Sequence, residues 1–99
     1  MHNSLVINNL LTGLLTMKDR IEQTLKDNLN PEFLEVQNNS HLHAGHAGDN
    51  GTGETHFKVM IQSDDLCELG RINSHRKINQ LLKDEFDKGL HALELKIMQ

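Results

Sequence analysis

His56-Phe57-Lys58-Val59-Met60-Ile61 is the stretch on which the fold turns. Phe57, Val59 and Ile61 alternate with His56, Lys58 and Met60, which is the two-residue period of a β-strand. Apolar groups occur on both faces, so the strand is expected at the centre of a sheet. Toward the N-terminus, Phe33-Leu34-Glu35-Val36-Gln37 reads as a shorter strand with Leu34 and Val36 on one face. Ahead of it, Met17, Ile21, Leu25 and Leu29 recur every fourth residue while Arg20, Glu22, Lys26 and Asp27 face outward. That spacing predicts a helix over 17–29. Thr16-Met17-Lys18-Asp19 has the form of a capping box at its start, and Asn30-Pro31 ends it.

Toward the C-terminus, Ser63-Asp64-Asp65 breaks the central strand. Leu69, Ile72, Ile78, Leu81, Leu82 and Phe86 then draw an apolar line along a helix expected over 69–86, with Lys88-Gly89 as its stop. Residues 91–98 alternate His91, Leu93, Leu95 and Ile97 with Ala92, Glu94, Lys96 and Met98, a last strand. The order αββαβ predicts a small α+β domain, a three-stranded mixed sheet with helices on one face. The crossover through the second helix is long enough to return the last strand parallel to the 56–62 strand.

A chain of 99 residues holds one such domain. Its net charge of −4 excludes a global positive field for nucleic acid. The single cysteine excludes an internal disulfide framework and fits a reducing, cytoplasmic setting. The apolar run Leu5 to Leu15 is interrupted by Asn8, Asn9, Thr12 and Gly13 and lacks a basic flank. It falls short of the roughly 20 residues of a membrane span, so no membrane association is expected. Residues 1–16 read as a flexible leader and 17–99 as the domain.

The uneven feature is histidine, present seven times at 2, 41, 43, 46, 56, 75 and 91. Three crowd the start of a glycine-rich loop, His41-Leu42-His43-Ala44-Gly45-His46, and imidazole is the commonest metal ligand. His41 and His43 would share one strand face, with His46 a third candidate across the loop. His56 reads as structural, His75 as a packed or hydrogen-bonded helix residue, and Cys67 as a small buried hydrophobe. Arg71, Arg76, Lys77 and Lys83 offer a helix face for phosphates, although Asp84, Glu85 and Asp87 follow closely. Gly45-His46-Ala47-Gly48 has the letters of a nucleic-acid-binding GXXG loop, but between strands rather than helices, and is read as coincidence. No nucleophile, base and orienting group stand together, so no enzyme is expected.

Several segments in order resemble the BolA family: Arg20-Ile21-Glu22, Phe33-Leu34-Glu35-Val36, Gly53-Glu54-Thr55-His56-Phe57-Lys58-Val59, Asn73-Ser74-His75-Arg76 and His91-Ala92-Leu93. The resemblance spans about 17–98 and implies a fold similar to a type II KH domain. It further implies a heterodimer with a monothiol glutaredoxin around a bridging 2Fe-2S cluster. There the glutaredoxin cysteine and a glutathione thiolate hold one iron and BolA histidines the other. The family ligand maps to His91, and the loop ligand to His43 by its distance from Ser40, with His46 and His41 as alternates. The apo form is expected to be monomeric. The family's second reputation, DNA-binding transcriptional regulation, would use Arg71, Arg76, Lys77 and Lys83. The departures are Ser74 where an arginine is usual, a displaced glycine with Glu68 near its place, and a longer loop without proline. Such ligation is sensible chemistry, since imidazole suits iron and raises cluster potential relative to four cysteinates.

Overall fold

A computed structural model describes residues 16–43 and 53–98. The elements are α1 (Met17–Leu29), β1 (Phe33–Asn38), a 3-10 turn (Ser40–His43), β2 (His56–Gln62), α2 (Asp64–Leu69), α3 (Arg71–Leu81), α4 (Lys83–Asp87) and β3 (Ala92–Met98). The expected leader, apart from Thr16, lies outside the described residues, as does Gly45-His46-Ala47-Gly48. Thr16 is the N-cap of α1. Its hydroxyl accepts from the Asp19 N–H at 3.2 Å, and Asp19 reaches back to the Thr16 N–H, the reciprocal pair expected of a capping box. Asn30 closes the helix in the left-handed conformation at φ 43°.

The sheet has the order β1-β2-β3, with β1 antiparallel and β3 parallel to β2. The expected centre and the expected parallel return are both present. Met17, Ile21, Leu25 and Leu29 of α1 pack with Val36, Val59, Ile61, Leu66, Ile78 and Leu82 in one core. Leu93, Leu95 and Ile97 of β3 pack against its margin. Arg20, expected outside, is instead turned inward onto Glu85 of α4, with Nη2 to Oε1 at 3.0 Å.

The second helix differs most from its sequence reading. It begins earlier, at Asp64, and is divided at Gly70 and Leu82 into three pieces. Gly70 sits at φ 79° and ψ 171°, a region nearly closed to residues with a Cβ. The break re-phases the chain, so a period drawn continuously from Leu69 selects the wrong face. Leu69 and Ile72 are 40% and 68% exposed. Ser74 faces inward in their place and donates its hydroxyl to the Leu66 carbonyl at 2.7 Å, tying α3 to α2. Cys67, expected in the core, is exposed, because on the short α2 Leu66 takes the inward position. His41 and His43 do not share a strand face, since β1 ends at Asn38 and a 3-10 turn follows.

Candidate functional site: the Thr55 junction and His91

β2 and β3 run parallel, so their N-terminal ends lie side by side, His56 opposite Ala92. Thr55, fully buried just before β2, joins three segments there. Its N–H donates to the Ser40 hydroxyl at 2.9 Å, and the His56 N–H donates to the same oxygen at 3.0 Å. Its carbonyl accepts the N–H groups of His91 at 2.8 Å and Ala92 at 3.0 Å. The Asn39 N–H donates to the His56 carbonyl at 2.8 Å, and Asn38 Oδ1 accepts the Ser40 N–H at 3.0 Å. The 3-10 turn carrying His41 and His43 is thereby anchored to the residue that holds His91. The Ser40 hydroxyl, which no sequence pattern marks, is the anchor.

His91 is exposed, its backbone pinned while its imidazole stands clear of the core. His56 is buried, 7% exposed, and shares a 2.8 Å hydrogen bond between Nδ1 and the Thr55 hydroxyl. The two imidazoles stand 5.5 Å apart between centroids, at a tilt of 48°. His56 is therefore structural, as expected, and is also the floor beneath His91, an adjacency no local pattern discloses. His41 is exposed on the turn, His43 closes that turn, and His46 lies outside the described residues. Among the described residues no three His, Cys, Asp or Glu side chains are grouped to hold a metal. What the junction offers is one exposed imidazole on a backbone hydrogen-bonded to Thr55 just before β3, beside an anchored turn that bears two more histidines.

The phosphate-facing candidates are spread out. Arg71, Arg76 and Lys77 are exposed on α3, but at about 100° per residue they point in widely different directions around it. Lys83 lies on α4 and pairs with Asp87 at 3.6 Å. His75, half-buried, faces the space between α3 and β3.

The chain belongs to the BolA family, whose model, described as BolA-like protein, matches residues 25–99. It is 48% identical over 80 residues to an uncharacterised protein from the cobS 5′ region of Sinorhizobium sp., covering 80% of this chain and 86% of that protein. It is 36% identical over 81 residues to the DNA-binding transcriptional regulator BolA of Haemophilus influenzae, covering 82% of this chain and 75% of that one. Its structure is similar to the BolA domain of SufE1 from Arabidopsis thaliana, with a TM-score of 0.74, 42% identity and coverage of 84% and 92% of the two chains. Among the described residues no helix is long and apolar enough to cross a membrane.

Proposed function

We propose that this BolA-family protein is a binding partner rather than an enzyme, sharing a 2Fe-2S cluster with a monothiol glutaredoxin in iron-sulfur trafficking or iron and redox regulation. His91 would supply one ligand and a loop histidine the second, with His43 preferred over His46 and His41. The glutaredoxin cysteine and glutathione would complete the other iron. The observation that carries this reading is the Thr55 junction, where one residue anchors both the strand start of His91 and the turn of His41 and His43. The donor set fits the group: neutral imidazoles bind iron, and a partial set from one chain calls for a second protein. When bound, the cluster supplies one-electron redox chemistry and an iron-sulfur unit that can be passed on. This chain's part is to hold imidazole nitrogens at a fixed place. A reducing compartment such as the cytosol, where the exposed Cys67 stays a thiol, belongs to the same proposal.

The test is co-expression with a monothiol glutaredoxin followed by purification. A coloured heterodimer that needs glutathione supports the proposal; a cluster confined to a glutaredoxin homodimer refutes it. DNA binding is the second reading, favoured by the name of the Haemophilus influenzae relative. It predicts duplex affinity that falls steeply with salt and is lost in Arg76→Ala or Lys77→Ala.

A further inference from the structure

β3 is an outer strand, pairing with β2 alone. Ala92 turns its N–H inward to Thr55. In a parallel sheet the main-chain groups of successive residues point alternately to opposite sides. Leu93, Leu95 and Ile97 therefore direct theirs away from β2, and among the described residues nothing pairs with them. Beside this open edge runs a groove of about 660 Å³, walled by Arg71, Ser74 and His75 of α3 and by Leu95, Lys96 and Ile97 of β3. Three consecutive strand residues line it, whereas a groove across a sheet face would meet every second one. The strand's own edge is thus one wall.

The groove is also charged in one sense. Arg71 and Lys96 form no ion pair among the described residues. No carboxylate lines the groove, although the chain as a whole carries a net charge of −4.

We infer that this groove takes an extended acidic peptide segment of a partner protein, which adds to β3 as a fourth strand with its carboxylates toward Arg71 and Lys96. An open strand edge facing a helix gives affinity through main-chain hydrogen bonds, and the side-chain wall gives selectivity. The row of alternating N–H and C=O groups matches another peptide backbone better than a phosphate chain. Unpaired edges invite such addition unless charges guard them, and here the flanking charges select what may add. His91 lies at the other end of β3, about 15 Å away at 3.3 Å per residue, so the inference stands apart from the cluster proposal.

The experiment is fluorescence polarisation of a labelled peptide of repeated Glu-Glu-Val, which carries carboxylates on both faces of an extended chain, with the full chain, joined to amide exchange of β3. Saturable binding is expected, with slowed exchange at Leu95 and Ile97. Affinity should fall about tenfold in Arg71→Glu or Lys96→Glu, and by at least as much when alternate peptide amides are N-methylated. Both substituted side chains are exposed, so the variants should keep the wild-type circular dichroism. Equal binding of the N-methylated peptide or of the same peptide with Lys in place of every Glu would overturn the inference. So would tighter binding of a single DNA strand, no binding at all, or a self-dimer that buries β3.

Discussion

Replacing Arg20 by Met should destabilise the domain by about 2–3 kcal/mol. Arg20 Nε donates to both Glu85 carboxylate oxygens at 3.1 Å and Nη2 to Oε1 at 3.0 Å. The side chains are 16% and 7% exposed. Removing one member of a buried pair generally costs about 3–5 kcal/mol, because the other charge is left without compensation. The residual opening at Arg20 lowers that figure here. These hydrogen bonds, and then the Glu85 charge, raise the Arg20 pKa above its ordinary value despite burial. A base raised in this way contributes its stability below the unfolded pKa and loses it only as pH climbs past the folded one. Arg20 thus stays charged under all ordinary conditions. Glu85→Leu should cost less, since Arg20 keeps some solvent and the nearby Glu54 charge. The double variant should return close to wild type, an apolar pair replacing an ionic one. Urea denaturation followed by circular dichroism reads these differences, and a domain of this size should lose about 10–20 °C of Tm in Arg20→Met. The Leu90 N–H donates to the Glu85 carbonyl at 3.0 Å, so the pair also braces the turn that delivers His91. An Arg20→Met variant within about 0.5 kcal/mol of wild type would refute the argument.

Ser40→Ala leaves the N–H groups of Thr55 and His56 without their acceptor; a loss of about 2–4 kcal/mol is expected in the same denaturation assay. Gly70→Ala meets no atom within 4 Å but must hold φ 79°, so backbone strain alone should cost about 1–3 kcal/mol. Ile72→Gln should change stability by no more than about 0.5 kcal/mol because the side chain is 68% exposed. A larger loss would restore Ile72 to the core.

α1, β1, β2 and β3 were legible because each keeps one period between clear stops. Thr16 and Asn30 bound the first helix, and Ser63 and Gly89 mark the later breaks. The segment from Asp64 to Asp87 was not, because its apolar residues keep a plausible helical spacing straight through Gly70. Only the glycine's backbone angles show that the face changes there. Ser74 read as the loss of a surface arginine, yet it is an inward hydrogen-bond donor. Arg20 reads as an outward charge because its partner, Glu85, lies 65 residues further along the chain. Of the candidate site, His91 is singled out by family resemblance alone, because no local pattern around it marks a ligand. The Ser40–Thr55–His91 linkage was invisible, since it joins three distant segments through polar groups with no periodicity. The same holds for His56 beneath His91.

The central claim is that the imidazole of His91 ligates iron. Its most direct test is pulsed electron paramagnetic resonance of the reduced cluster in the glutaredoxin heterodimer, with histidine nitrogen of this chain isotopically labelled. The account predicts strong nitrogen couplings in the wild type and loss of one set, or of the whole cluster, in His91→Ala, with the apo fold unchanged by circular dichroism. A His91→Ala heterodimer whose cluster and nitrogen couplings match the wild type would contradict it.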